Sequence, residues 1–430
     1  MLKIIRSDDR RAVGSLLSSR MANLSDAETV ARRIIDNVRR HGDQALIRYS
    51  RQFDGIDLRK TGMTVTHEEL DRVASQAPPS LAAALSAAAK NIRAVARRQL
   101  PRAWQVQPLP GVHVSQVLRP LERVACYVPG GRFPLPSTVL MSVIPAQVAG
   151  VREILVTSPK PAPVVMLAAS MLGVTGIYRL GGAQAVAAFA YGTETVPRVE
   201  KIVGPGNRYV AAAKKLVAGE CGIDFVAGPS ELVVVGADGN PWWIAADLVA
   251  QAEHDPDAVA ILITPSLQLA RRVQARAAQL VAQLGLPVAR KSLADQGCIV
   301  LTRTLAEAAE FVNRLAPEHL TLLEDAEDLL HQIQSAGSIF LGGYSPVAAG
   351  DYASGTNHIL PTAGAARVRG GLSAADFIKC ISVQKITRDG LSRLRPSIVT
   401  LAGAEGLTAH AESVQTRFQD SRPSLRMGKA

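Results

Sequence analysis

The nine residues RVACYVPGG, 123–131, form a short apolar run closed by a proline and two glycines. Read as a strand that stops at a tight turn, the segment opens a series. VREILVTSP (151–159), GIYRLGGAQA (176–185), VEKIVGPGN (199–207) and SELVVVGA (230–237) repeat its form, and AVAILITPS (258–266) and GSIFLGGYS (337–345) do so later. Helical segments lie between several of them. Strands alternating with helices predict parallel sheets joined by crossovers, an α/β fold. Each strand runs into a Gly-rich or Pro-Gly turn, and ligands in such folds bind outside the carboxyl ends of the strands.

On the N-terminal side the texture is helical. Ser25 with Glu28 three residues on reads as a capping box, followed by apolar Val30, Ile34, Ile35 and Val38 at helical spacing. Thr66 with Glu69 repeats the signature ahead of Leu70 and Val73, and an alanine-rich helix is expected over about Ser80 to Gln99. From about 373 the chain is again expected to be helical, through SAADFIKCISVQKITRDGLSRL and AEGLTAHAESVQTRF, with a loose end, SRPSLRMGKA.

A chain of 430 residues, 47% hydrophobic, can bury large cores, and its length favours two to four structural units. The net charge of +11 and pI near 9.7 raise the question of nucleic acid. The basic residues, however, fall in short pairs such as Arg32-Arg33, Arg39-Arg40 and Lys214-Lys215, with no aromatics between them for stacking. A positive field that gathers anionic cofactors fits better, and no nucleic-acid partner is expected. Cys126, Cys221, Cys298 and Cys380 form no CxxC pair, which argues against a disulfide framework or a thiolate zinc knuckle. No apolar run reaches about 18 residues, and MLKIIRSDDRRAVG lacks the apolar core of a signal peptide. A reducing, cytoplasmic setting and no membrane partner are expected.

The chemistry-bearing residues gather in a few places. No GxGxxG follows a strand, so the usual dinucleotide fingerprint is absent. YVPGGR, GGAQA and GPGNR stand in its place, with glycines that allow close backbone approach and amides from Gln184 and Asn207; tight turns alone would also need those glycines. In PWWIAADLVAQAEHDPD, Gln251 and His254 share a helix face at the helix end. His254, His410 and Asp351 would suit a borderline metal such as zinc, with Gln251 a weaker oxygen donor. Glu405 and His410, five apart, cannot both meet one ion from a regular helix. Glu318-His319, after a proline where a helix has ended, offers a carboxylate to activate water and an imidazole to accept an alcohol proton. Cys126 lies inside an apolar strand with no flanking histidine and reads as a small buried hydrophobe rather than a nucleophile.

Taken in order, YVPGG(R), PSTVLM, IPAQVAGV, LGGAQAVAAFAYGT, VGPGNRYV, AGPSE, AADLVAQAEHDPDA, APEHL, GDYASGTNH(I)LPT and EGLTAH resemble the histidinol dehydrogenase family over about 120–415. The resemblance implies a zinc-dependent, NAD-linked enzyme of histidine biosynthesis that takes L-histidinol through L-histidinaldehyde to L-histidine. It implies one zinc per subunit held by Gln251, His254, Asp351 and His410, and Glu318 and His319 as the catalytic pair. Ser230, His358 and Glu405 would touch substrate together with Gln251, His254, His319, Asp351 and His410, and Tyr127, Gln184 and Asn207 would line the NAD site. It further implies a swapped homodimer of two incomplete Rossmann-like domains. The first would take 20–126 and 230–372 and the second 127–229. Residues 1–19 and 373–399 would form a helical dimerisation element, and 400–430 a tail reaching the partner's active site. Relatives that oxidise other small polar alcohols, such as sulfonated diols, share much of this framework, but APEHL and GDYASGTNH are intact here. A zinc hydrolase using Glu318 as base would instead act without nicotinamide.

Overall fold

A computed structural model describes residues 2–19, 24–131 and 133–419. The chain divides into two compact units, Met1–Leu100 with Pro120–Phe377, and Pro101–Arg119 with Ile378–Ala430.

The first unit contains two parallel sheets. One has five strands in the order Gly176–Tyr178, Glu153–Thr157, Arg123–Tyr127, Lys201–Val203, Gly222–Ile223. Along its central strand Val124 and Cys126 point into one apolar cluster and Ala125 and Tyr127 into the other, so helices cover both faces. The second sheet has six strands, ordered Lys3–Arg6, Cys298–Leu301, Val259–Thr264, Glu231–Val235, His319–Leu322, Ser338–Leu341. It too is covered twice, with Leu232 and Val234 on one side and Val233 and Val235 on the other. Burial on both faces is why these strands read as unbroken apolar runs. The α/β class and the parallel sheets are as the strand-and-turn series predicted.

Local signals fared unequally. Thr66 and Glu69 form the expected capping box on the helix His67–Gln76, and the alanine-rich helix spans Pro79–Arg98. The capping box expected at Ser25 does not form. The helix Ser25–Tyr49 has Leu24 at its N-cap, with no side-chain cap hydrogen bond. The first 19 residues are not only helical, since Lys3–Arg6 pairs in parallel with Cys298–Leu301. The last ten residues, expected to be loose, lie outside the described residues, as do 20–23 and Arg132.

The second unit corrects a larger reading. Within the stretch expected to be helical from 373, Ile378–Ile386 is a nine-residue strand. It joins Val112–Pro120 and Trp104–Leu109 in a three-stranded sheet. The helices Arg388–Ala404 and Thr408–Gln415 follow. Pairing supplies the strand with a partner for its backbone groups, and this outweighs its ambiguous apolar spacing.

Candidate active site

The candidate residues other than Glu405 and His410 belong to the first unit and gather at two sheet edges. Tyr127 ends the central strand of the five-stranded sheet, Gln184 lies in the first turn of the helix Gly182–Tyr191, and Asn207 caps the helix Arg208–Val217. All three therefore stand at that sheet's carboxyl edge, where the fold rule puts ligands. The catalytic candidates lie elsewhere. Ser230 immediately precedes the strand Glu231–Val235, and His319 opens the strand His319–Leu322, level with Leu232 on one side and Ser338 on the other. Gln251 and His254 end the helix that returns to that same edge. These residues use the amino edge of the six-stranded sheet, contrary to the expectation that the site lies at carboxyl ends.

Glu318 and His319 were expected in a loop facing a cleft. The preceding helix does end there, with Ala316 as a left-handed cap at φ 50°, but His319 is already paired into the sheet and both residues are buried. The backbone of Glu231 holds them. Its N–H donates to Glu318 Oε2 at 2.8 Å, and its carbonyl lies 3.0 Å from His319 Nδ1. In the neutral imidazole Nδ1 donates to that carbonyl, which makes Nε2 the acceptor. His319 Nε2 is buried, has no hydrogen-bond partner, and stands 3.6 Å from Asp351 Oδ1. An orphaned buried acceptor is costly unless a ligand satisfies it.

The electrostatics form one coupled set. Burial pushes the Glu318 carboxyl up to about 8, against the pull of His319. Burial opposes the charge on His319, but Glu318, with Nδ1 3.6 Å from its Oε2, and Asp351 outweigh it and raise the imidazole to about 9. Burial also opposes ionisation of Asp351, yet His319, and then His358 and His254, hold it below the ordinary carboxylate value. Asp351 lies on the short helix Val347–Tyr352. His358, lowered by its burial, sets Nδ1 3.0 Å from the Asp351 carbonyl and Nε2 3.2 Å from Thr138 Oγ1. Thr138 starts the helix that follows the central strand of the other sheet, so His358 ties the amino edge of one sheet to the carboxyl edge of the other.

Three of the four residues read as metal ligands thus share a neighbourhood. Gln251 is 3% exposed and its Nε2 has no hydrogen-bond partner, His254 caps the same helix and is exposed, and Asp351 feels the charge of His254. His410 and Glu405 are exposed residues of the second unit. Among the described residues, no three His, Cys, Asp or Glu side chains of this single chain form a metal-holding group.

At the carboxyl edge, Tyr127 is buried and its hydroxyl accepts from the Gly182 N–H at 2.9 Å. Gln184 Nε2 donates to Asp54 Oδ2 at 3.2 Å, while its buried Oε1 has no partner. Asn207 Oδ1 accepts from the N–H groups of Tyr209 and Val210, so its oxygen serves the helix cap. The turn ahead of it is pinned from beneath. Lys214 and Asp224 form a fully buried ion pair; Lys214 donates to the Gly204 carbonyl at 3.0 Å and Gly204 N–H donates to Asp224 at 2.7 Å. Gly204 has φ +113°, and a Cβ there would meet the Tyr127 carbonyl. Asp54, Thr138, Glu231, Lys214 and Asp224 were all missed as site-shaping residues. Thr138, in PSTVLM, and Glu231, in AGPSE, lay in segments already singled out, and Lys214 was noted only as half of a basic pair. Cys126 is fully buried and burial pushes its thiol up to about 12, as its apolar context predicted.

This arrangement has close counterparts. A family model described as histidinol dehydrogenase matches residues 17–418. The chain belongs to the histidinol dehydrogenase family. It is 46% identical to the histidinol dehydrogenase of Methanothermobacter thermautotrophicus, over 98% of this chain and all of that one. It is 46% identical to the Brucella suis histidinol dehydrogenase over 96% of this chain and 97% of that one. The crystal structure of histidinol dehydrogenase from Elizabethkingia anophelis superposes with a TM-score of 0.91 at 36% identity, covering 97% and 98% of the two chains. Membership makes the chain an oxidoreductase of histidine biosynthesis. None of its described helices is long and apolar enough to cross a membrane.

Proposed function

We propose that Glu318 and His319 carry the proton transfers of a four-electron oxidation of L-histidinol to L-histidine through L-histidinaldehyde. The reading is supported above all by the buried, unpartnered Nε2 of His319, on a ring whose Nδ1 is fixed by the Glu231 carbonyl. In the first oxidation His319 Nε2 takes the proton of the alcohol. Asp351, 3.6 Å away, favours the imidazolium that results. In the second, Glu318 in its carboxylate form takes a proton from the water that hydrates the aldehyde, and burial, by raising its carboxyl, makes that carboxylate a stronger base. His319 then accepts the proton of the hydrate. Ser230 and His358 flank the substrate, and His358 is fixed for that by Thr138 and the Asp351 carbonyl.

The donor set fits zinc, with a buried amide, an imidazole and a carboxylate from one neighbourhood. Gln251, His254 and Asp351 would hold one ion per subunit. His410, with Glu405 as a substrate contact, would come from a second copy of the chain, in a swapped homodimer whose tail, 400–430, reaches its partner. Bound there, zinc would hold the substrate's imidazole and amino group as a Lewis acid, and NAD, used twice, would receive the hydrides. Tyr127, Gln184 and Asn207 would contact NAD within the second of two incomplete Rossmann-like domains, 127–229; 20–126 with 230–372 would form the first. Residues 1–19 and 373–399 would contribute to the dimer interface, and the enzyme would work in the cytoplasm.

The test is NADH formation from limiting L-histidinol, before and after chelation. About two NADH per histidinol, lost on chelation and restored by zinc, is expected. No NADH from zinc-loaded protein would overturn the substrate.

A further inference from the structure

The helix Pro241–Glu253 carries, at mid-length, an acidic side chain the reaction does not use. Asp247 is half-buried, and among the described residues no hydrogen bond or ion pair engages its carboxylate. It stands four residues before Gln251 and seven before His254, so helical spacing puts all three on one face. Helical side chains lean towards the N-terminus, which tips Gln251 back over the turn that carries Asp247. Neighbours four apart bring their Cβ atoms to about 5–6 Å, within reach of an amide–carboxylate hydrogen bond. The buried Nε2 of Gln251 has no acceptor in the structure. Two unsatisfied groups of opposite kind therefore sit one turn apart, one of them a proposed ligand.

We propose that Asp247 is the positioning residue of the metal site: it accepts a hydrogen bond from Gln251 Nε2 and so turns the amide oxygen of Gln251 towards zinc. The inference rests on Gln251 being a ligand. An amide rotates through half a turn with little change in shape, and only a fixed acceptor for its nitrogen decides which atom faces the ion. A carboxylate accepting from that nitrogen also makes the amide oxygen a better donor, as partners of metal-bound histidine do for imidazole.

The test is zinc affinity of the full-length protein, by equilibrium competition with a chromophoric chelator, with circular dichroism to confirm folding. Gln251→Ala and His254→Ala should each weaken binding strongly. Asp247→Ala should weaken it about 10–100-fold, and Asp247→Asn, which keeps the shape and a weaker acceptor, by less; the Asn variant carries the test if the Ala variant does not fold. A carboxylate at 251 binds without a partner, so Asp247→Ala should cost nothing further in a Gln251→Glu background. Zinc affinity within twofold of the original in Asp247→Ala, while Gln251→Ala is weakened, overturns the inference and leaves the metal site standing. An equal loss in the Gln251→Glu background also overturns it, by showing a merely structural role. Unchanged affinity in both Gln251→Ala and His254→Ala overturns the metal reading, and this inference with it.

Discussion

The two parallel sheets of the first unit are built alike and carry their candidate residues at opposite ends. The five-stranded sheet presents Tyr127, Gln184 and Asn207 at its carboxyl edge, on turns that glycine makes possible. The six-stranded sheet presents Ser230, Glu318 and His319 at its amino edge, and in APEHL no glycine announces Glu318 and His319. The difference teaches what each edge offers. A carboxyl edge exposes helix N-termini and loose backbone, suited to receiving a large anionic ligand. An amino edge inside a sheet covered on both faces buries its side chains and offers them backbone groups the ladder leaves free, suited to holding an acid and a base in place. Glu231 does this for both catalytic candidates, through its own N–H and carbonyl.

Substitutions at the two edges should therefore split the kinetics, and the largest effect belongs to the amino edge. His319→Asn should lower kcat for L-histidinol about 10²–10⁴-fold, the usual worth of a positioned proton acceptor, with the KM for NAD little changed. Glu318→Gln should depress oxidation of supplied L-histidinaldehyde far more than the first NADH released from L-histidinol. Stopped-flow NADH formation on the two substrates measures both. Equal losses in both steps would remove the division of labour between the two residues.

Next in size is the support of the other edge. Asp224→Ala leaves Lys214 buried, charged and unpaired beneath the Gly204 turn. Breaking such a pair should cost about 3–5 kcal/mol of stability, whereas a Lys214→Met, Asp224→Leu double replacement should recover much of it. Urea unfolding monitored by circular dichroism tests this. Asp224→Ala without a shift in midpoint would mean that the pair does not hold the turn.

How much of this was legible follows from what each strand must satisfy. Seven strands announced themselves because burial on both faces demands an apolar run and parallel connections demand a turn at its end. His319–Leu322 was hidden because its first position is a histidine and a Pro-Glu pair precedes it, so polar residues interrupt the apolar pattern. Cys298–Leu301 is four residues long and has no glycine after it. Ile378–Ile386 is exposed along nearly its whole length, so no buried face imposes an alternation, and its isoleucines at 378 and 381 mimic helical spacing. At the site, the resemblance supplied identities that spacing could not. That Glu231 would grip residues 87 and 88 positions away, or that His358 would bond Thr138 across 220, depends on topology alone.

At the carboxyl edge itself the effect should be smaller. Gln184 makes one hydrogen bond, to Asp54, and keeps a buried oxygen without a partner. If that oxygen serves NAD, Gln184→Ala should raise the KM for NAD about tenfold, the worth of about 1.4 kcal/mol, and alter kcat by less than about a factor of two. Initial rates at saturating L-histidinol separate the two constants. A fall in kcat with unchanged KM would move Gln184 out of the cofactor's reach and into the catalytic group.

The smallest expected effect tests the boundary between the edges. Cys126 precedes Tyr127 on the central strand, one position from the carboxyl edge, and a thiol so placed invites a covalent role in aldehyde oxidation. Its side chain nevertheless points into the cluster with Val124, Val156 and Val203, away from the face that Tyr127 takes, because adjacent residues of a strand alternate. With its thiol pushed up to about 12 by burial, almost none is thiolate at neutral pH. Cys126→Ala should lose about 1 kcal/mol or somewhat more of stability from the small cavity while both oxidation steps keep their rates within about twofold. Abolition of the aldehyde step alone would place a nucleophile on the five-stranded sheet, and the division between a carboxyl edge that binds and an amino edge that reacts would fall.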